Sequence, residues 1–231
     1  MRIVRIGLDA APGVLPALAD FYGQRLALDV ARRRGSVVVG AGATEIVFDA
    51  APDGAEPFYH FAVRVPRDRF DAARAWIEER AGLLADAASG RTTFRFESWN
   101  ADACYFEDPA GNIVELIAHH ELPEESHASG PFDGRELIGV CEVGVVVPDI
   151  AAAARPLIDA GVELWDGTLD RPDGLAFMGG RDGVLILARE GRPWMPTTLS
   201  ARRHRVEVAT AAPERVRVAL DDTGRVGVTL R

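Results

Sequence analysis

A pattern of strands and helices that repeats about every fifty residues constrains the fold of this chain more than any other feature of its sequence. An apolar, β-compatible segment lies at residues 3–8, and apolar residues then follow helical spacing over residues 14–26. Three short strands are predicted between residues 28 and 48, before the turn at Pro52–Gly54. The first unit is therefore predicted to have the order β-α-β-β-β.

The same order recurs along the rest of the chain. A second unit begins with a strand at residues 59–65 and continues with a helix and three strands up to residue 118. A third unit begins with a strand at residues 137–147, and a fourth begins at 204–209. The fourth unit is short, so we expect it to be degenerate and to have lost most of its helix.

The composition changes between the second and third units. Residues 121–136 are polar and rich in Pro, Gly and Ser, which is typical of a linker. We therefore predict an α+β protein with two tandem domains. The first domain is 1–120, built from units 1–50 and 57–120, and the second, degenerate domain is 137–231.

The charged residues exclude several kinds of chemistry. The chain has 35 acidic and 26 basic side chains, a net charge of −9, and every basic residue is an arginine. Without lysine there is no amine for a Schiff base with pyridoxal phosphate (PLP), and no lysine-bearing loop for a nucleotide cofactor. A negative field also repels phosphate backbones and anionic lipids, so we expect neither nucleic acid nor a membrane as a partner.

The two cysteines and the first residues of the chain bear on its location. Cys104 and Cys141 are too few for a disulfide scaffold, and residues 1–8 lack the pattern of a signal peptide. We therefore expect a cytoplasmic protein. Cys104 is expected to be a buried, small apolar residue, and a homodimer is expected because it would cover edge strands.

Two segments resemble a known family. Residues 59–66 read Tyr-His-Phe-Ala-Val-Arg-Val-Pro, and residues 105–116 read Tyr-Phe-Glu-Asp-Pro-Ala-Gly-Asn-Ile-Val-Glu-Leu. Residues 21–22 and 147–149 fit the same pattern. Through these segments the chain resembles the vicinal oxygen chelate superfamily, which includes glyoxalases, bleomycin resistance proteins and extradiol dioxygenases.

The resemblance is clear over residues 1–120, weaker over 137–190, and weakest beyond. It implies curved mixed sheets with helices on the outer face and a small-molecule site on the concave face of the first domain. It also implies a metal-dependent lyase, isomerase or dioxygenase. The alternative is a metal-free protein of the resistance type, which binds or sequesters a small molecule.

Alternation along the strands identifies candidate metal ligands. Side chains two residues apart share one face of a strand, so His60 lies opposite the apolar row that contains Phe61 and Val63. Glu115 likewise lies opposite Val114. If the apolar rows lie under the helices, His60 and Glu115 both point into the cleft, where they are the candidate catalytic residues and ligands for Fe, Mn, Ni or Zn.

This ligand set is incomplete, because a metal generally needs three or more protein ligands. Arg5 stands where the family commonly has histidine or glutamine, and a guanidinium cannot bind a cation. His119 or His120 could complete the set by folding back. Alternatively, Arg5 forms an ion pair with Glu115 in a metal-free cleft.

Further candidates lie in both halves of the chain. Glu142 and His204 occupy the opening positions of the third and fourth units and form a weaker second metal-binding pair. The candidate substrate-binding residues are Arg5, Arg64, Phe94, Phe106 and Tyr105.

Overall fold

A computed structural model describes residues 1–52, 54–171, 173–211, 216–220 and 226–230, and every structural statement below refers to these residues. Within them the chain forms two curved, mixed sheets with a few helices. The predicted α+β class and the curved sheets are confirmed. No helix in these ranges is long and apolar enough to cross a membrane.

Fifteen strands are described, and they follow the repeating units closely. The first two units contain β1 (Arg2–Ala10), β2 (Asp29–Arg33), β3 (Ser36–Ala41), β4 (Thr44–Ala50), β5 (His60–Arg64), β6 (Thr93–Phe96), β7 (Ala101–Glu107) and β8 (Ile113–His119). The last two contain β9 (Gly139–Val147), β10 (Leu164–Gly167), β11 (Ala176–Gly180), β12 (Gly183–Arg189), β13 (Val206–Ala211), β14 (Val216–Ala219) and β15 (Val226–Leu230).

Each of the first three units has one main helix after its opening strand. These helices are α1 (Leu15–Asp20), which continues as a wider turn through Arg25, α2 (Phe70–Ala81) and α3 (Ile150–Asp159). Asp149 caps α3 because its side chain accepts a hydrogen bond from the Ala152 backbone N–H at 2.8 Å. The predicted loss of the fourth unit's helix concerns residues 212–215, which lie outside the described residues.

The sheets combine the units in an order that the sequence does not reveal. The seven-stranded sheet has the order β14-β15-β13-β1-β4-β3-β2, and the eight-stranded sheet has the order β10-β11-β12-β9-β5-β8-β7-β6. Antiparallel pairing of β1 with β13 joins the first unit to the fourth, and pairing of β5 with β9 joins the second to the third. Each sheet therefore takes strands from both sides of residues 121–136.

One continuous apolar core connects both sheets to the helices. It includes Phe48 from the first sheet and Phe61 from the second, both fully buried, together with Ile77 from α2. The Thr44 hydroxyl joins the sheets, since it donates to the Ile3 carbonyl at 2.8 Å and accepts from the Val140 N–H at 2.9 Å. Shared burial of this kind makes the two sheets one packed unit.

Residues 121–136 are attached to the second unit along much of their length. Glu136 accepts a hydrogen bond from Arg69 at 2.8 Å, and the Phe132 ring lies 5.3 Å from the Trp76 ring of α2. Phe132 is buried in the common core. The predicted linker thus packs against the fold.

Candidate metal centre

The centre of the eight-stranded sheet carries two glutamates on either side of a small residue. Ala62 on β5 is in register with Glu115 on β8 and with Glu142 on β9. All three side chains belong to the concave side, whereas the neighbouring Phe61 packs into the helix-covered core. Because Ala62 has only a methyl group, space remains between the two carboxylates.

His60 joins the two glutamates from the same strand face. Ligand atoms of His60, Glu115 and Glu142 all lie within 4.8 Å of one another, and all three residues are buried. The His60 Nδ1 atom is 3.0 Å from the Ile113 carbonyl oxygen, which can only accept a hydrogen bond. Nδ1 therefore carries the proton, and the lone pair on Nε2 faces Glu115 Oε2 at 3.6 Å.

Burial sets the protonation of this group. It lowers the pKa of His60 to about 4, so the imidazole is neutral near neutral pH and can act as a ligand. Burial raises the pKa of Glu115 well above its usual value, and the negative charge of Glu142 raises it further. Burial likewise raises the pKa of Glu142. Each carboxyl group in this pair therefore needs a proton or a cation beside it.

The donor set fits a divalent cation. One Glu142 carboxylate oxygen, Oε1, is buried without a hydrogen-bond partner. An imidazole nitrogen and two carboxylates are suitable ligands for first-row divalent metals, and carboxylates favour the harder ones such as Mn²⁺. A cation among these three residues would satisfy the orphaned oxygen and compensate both negative charges.

A cavity of about 300 Å³ opens from these three residues. Its walls are mainly aromatic and aliphatic, with a few polar side chains at the rim, which is typical of a small-molecule site. Besides the three candidate ligands, the lining residues are Phe96, Ser98, Trp99, Tyr105, Asp166, Leu175, Phe177, Ile186, Arg192, Trp194 and Met195.

The two ends of the eight-stranded sheet meet over this cavity. Trp99, which follows β6, lies 4.6 Å from Trp165 of β10 and 4.8 Å from Phe177 of β11, measured between ring centroids. The Trp99 indole N–H also donates a hydrogen bond to Asp166. Strands at opposite edges of one sheet are thus joined by side chains, and the curved sheet encloses the site.

Trp194 covers His60 from the segment after β12. The two rings are 5.3 Å apart, and Trp194 is buried. Gly144 on β9 makes this position possible, since a Cβ atom there would lie 2.9 Å from the Trp194 ring and 3.1 Å from the His60 carbonyl oxygen.

A bulge in β9 adds a further polar group beside Glu142. The register of β9 on β5 passes from Glu142 opposite Ala62 to Val140 opposite Val63, so Cys141 is an extra residue. Its Sγ atom lies 3.7 Å from the Ala62 carbonyl oxygen. Regular alternation would turn Cys141 toward the helices, and the bulge instead places it in the concave-side cluster.

Comparisons with known proteins agree with this architecture. A "putative dioxygenase" from Bacillus subtilis superposes with a TM-score of 0.61 at 14% identity, covering 100% of this chain and 85% of that one. Glyoxalase I from Zea mays superposes with a TM-score of 0.55 at 16% identity, covering 90% and 74%. The fold is that of the vicinal oxygen chelate superfamily.

A family model within this superfamily matches part of the sequence. Residues 140–192, which form most of the third unit, match the model described as toxoflavin-degrading enzyme. Among curated protein sequences, none matches this chain.

In this vicinal oxygen chelate fold, the predicted ion pair between Arg5 and Glu115 is wrong. Arg5 belongs to the other sheet, where its Nε atom lies 3.2 Å from Glu45 Oε2 and both side chains are nearly half exposed. The sequence analysis assumed that the first two units form one cleft. Because the second unit pairs with the third, the partner of Glu115 is Glu142.

The predicted pairing of Glu142 with His204 is wrong for the same reason. The His204 ring lies 5.7 Å from the Tyr59 ring and 6.1 Å from the Phe58 ring. Its unit pairs with the first unit in the seven-stranded sheet. The structure places Glu142 beside His60 and Glu115, and its role as a metal ligand stays a prediction.

Of the other predicted substrate-binding residues, only one lines the cavity. Tyr105 lines the cavity, whereas Phe94 packs edge-on against it at 5.3 Å and Phe106 faces Phe21 in the core at 6.2 Å. Arg64 is buried and donates hydrogen bonds at 2.9 Å to Asp182 and Glu124.

The two adjacent histidines that could complete the ligand set point in different directions. His120 turns outward, with Nε2 2.6 Å from Asp102 Oδ2. His119 turns inward and lies beside Cys141 and Glu142. The strand alternation of β8 separates them, since neighbouring residues project from opposite faces.

Proposed function

We propose that this protein is a metal-dependent lyase, isomerase or dioxygenase that acts on a small, flat molecule with two adjacent oxygen atoms. The substrate binds in the concave cavity of the eight-stranded sheet. The observation that carries this proposal is the buried group of His60, Glu115 and Glu142, whose charges and orphaned oxygen call for a cation. The names of two proteins with a similar fold, a dioxygenase and a glyoxalase, support these reaction classes, and the name of the matching family model supports an enzyme.

In this proposal His60, Glu115 and Glu142 would hold the metal, which when bound would supply Lewis acidity to a chelating substrate. The Ile113 carbonyl fixes the tautomer of His60, and Trp194 fixes the plane of its ring. Both contacts keep the lone pair on Nε2 directed at the site.

The remaining lining residues select and orient the substrate. Phe96, Trp99 and Phe177 offer aromatic surfaces that suit a planar ring and exclude water. Burial and the nearby carboxylates of Glu115 and Glu142 raise the pKa of Tyr105 well above its usual value, so its hydroxyl stays protonated. We assign Tyr105 the role of a hydrogen-bond donor to a substrate oxygen.

The metal-free alternative is the weaker proposal. It rested on an arginine that fills the metal position and neutralises Glu115. Arg5 instead binds Glu45 in the other sheet. A binding protein without metal would leave the two buried glutamates to be neutralised by protons alone.

Metal content tests the proposed function directly. The purified protein is stripped with a chelator, loaded separately with Mn²⁺, Fe²⁺, Ni²⁺ and Zn²⁺, and analysed for metal together with His60→Ala and Glu142→Gln. Glu45→Gln is the matched control, because it removes an exposed carboxylate from the other sheet. We expect about one Mn²⁺ or Fe²⁺ ion per chain at this site, with affinity at least ~100-fold lower in the two site variants and unchanged in the control.

Two results would overturn the proposal. One is a wild-type protein that binds neither Mn²⁺ nor Fe²⁺ after loading. The other is equal binding by wild type, His60→Ala and Glu142→Gln. Loaded protein that binds metal at this site is then assayed against compounds with adjacent oxygens, with and without dioxygen.

A further inference from the structure

We propose a second cation site, formed by His119, Cys141 and Glu142, that takes a thiophilic divalent metal such as Zn²⁺ or Cd²⁺. It lies beside the first group and shares Glu142 with it. The proposal goes beyond the proposed function, because it requires neither a substrate nor a metal at His60 and Glu115.

The geometry of these three side chains points to a shared ligand. Their ligand atoms lie within 4.8 Å of one another. Exposure is 3% for His119, 2% for Cys141 and 3% for Glu142, so bulk water does not fill the space among them. The three ligands come from two strands, β8 and β9, that flank β5.

Two buried polar atoms without hydrogen-bond partners also point to a bound cation, independently of the distances among the three side chains. His119 Nδ1 and Glu142 Oε1 are both buried without a hydrogen-bond partner. Buried polar atoms normally have partners, and a cation here would satisfy both orphans at once.

Cys141 makes this group chemically different from the first. Its thiol reaches the concave side only because of the bulge in β9, and it has the Ala62 carbonyl as a weak acceptor. A thiolate is a soft ligand and selects Zn²⁺ or Cd²⁺ over Mn²⁺. On binding, the cation replaces the thiol proton, which is released to the solvent.

Two guanidinium groups lie close to His119, and neighbouring carboxylates compensate their charges. Arg64 donates hydrogen bonds to both Asp182 and Glu124 at 2.9 Å. The neighbouring Arg181 forms an ion pair with Glu121 at 2.8 Å. These carboxylates offset the guanidinium charges that would otherwise repel a metal near His119.

Thiolate-to-metal charge-transfer absorption provides the test. Metal-free wild-type protein is titrated with Cd²⁺ and with Co²⁺, alongside Cys141→Ser, His119→Gln and the control Cys104→Ser. Cys104 is the matched control because it is also a buried, free cysteine but lies in the helix-facing core. Circular dichroism and thermal melts establish that each variant is folded.

The expected result is an absorption band that saturates near one equivalent of metal. Cys141→Ser abolishes it, His119→Gln weakens the affinity at least ~10-fold, and Cys104→Ser leaves it unchanged. A wild-type protein without the band overturns the proposal, as does a band that survives in Cys141→Ser. Deletion of Cys141, which restores a regular β9, is the second thiol-free variant and is also expected to lack the band.

The variant His60→Ala separates this proposal from the proposed function. We expect it to keep the charge-transfer band while it loses Mn²⁺ binding. If wild type binds no Mn²⁺ or Fe²⁺ but gives the Cys141-dependent band, the second site stands and the first fails. If Mn²⁺ binds and the band is missing, the first stands and the second fails.

Discussion

Glu115 and Glu142 are each 3% exposed, and they lie on the same face of one sheet with a single alanine between them. Removing an ionised carboxylate from water costs several kcal/mol unless it is paired, and two together also repel. The raised pKa of each glutamate expresses this cost. These two glutamates therefore lower the stability of the metal-free protein, and a bound cation would restore it.

This cost predicts how the metal-free protein responds to pH. Burial raises the pKa of Glu142 to about 8 in the folded protein. At any pH between the lower pKa of this glutamate in the unfolded chain and about 8, the folded state therefore binds more protons than the unfolded state. Stability is then highest at low pH within this window and falls as pH rises. We expect a loss on the order of 3 kcal/mol in the free energy of unfolding between about pH 6 and about pH 9.

Chemical denaturation of the metal-free protein at the two pH values checks this expectation. Glu142→Gln removes one titrating group and should flatten the dependence, as should loading the wild type with metal. If the free energy of unfolding changed with pH equally in wild type and in Glu142→Gln, the buried pair of glutamates would not control the pH dependence.

Among the structural elements, β9 has the largest influence on the site. It supplies Glu142, bulges at Cys141 and passes beneath Trp194 at Gly144. The residues after the bulge alternate regularly, with Val143 toward the helices and Val146 toward the concave side. One strand therefore positions the candidate ligands on one side of the cavity and leaves room for Trp194 over His60.

Gly144→Ala tests the fit between β9 and the segment that carries Trp194. The new methyl group would lie 2.9 Å from the indole ring, which must move away from His60. We expect a loss of about 1–3 kcal/mol in stability and a change in tryptophan fluorescence. Gly180→Ala is the control, since no atom lies within 4 Å of a Cβ built at that position. Equal effects of the two substitutions would contradict this role of Gly144.

The whole molecule is held together by pairing between units that are distant in sequence. The first unit joins the fourth through β1 and β13, and the second joins the third through β5 and β9. A cut at residues 121–136 would separate β13 from β1 and β9 from β5, which leaves one edge of each strand unpaired. Unpaired strand edges promote aggregation, and the separated halves would also lose their shared core.

Division of the chain tests whether its halves are independent domains. We expect residues 1–120 and residues 121–231, expressed separately, to show no cooperative unfolding transition. Expressed together, they should assemble and recover the proposed metal-binding site, because Glu142 lies on the second fragment. Thermal unfolding and metal content provide the measurements. A cooperative transition in residues 1–120 alone would support a first domain that folds by itself.

Much of the fold follows from local patterns in the sequence. The repeat predicted the β-α-β-β-β order, and the alternating apolar rows around Phe61 and Val114 predicted which faces meet the helices. The same alternation predicted that His60 and Glu115 point toward the cleft, and both side chains line the cavity. These features depend on side-chain periodicity within one strand, so they can be read without knowing which strands pair.

The third candidate ligand depended on tertiary structure. Glu142 was a candidate, but the sequence analysis paired it with His204, because nothing local in the sequence shows which unit's opening strand pairs with the free edge of β5. That choice depends on the summed burial of many distant residues. Cys141 required the bulge in β9, which breaks the two-residue period that sequence analysis relies on. The sequence by itself thus determined the repeating units and two inward-facing candidate ligands, and the pairing of strands far apart in the chain decided which side chains complete the candidate site.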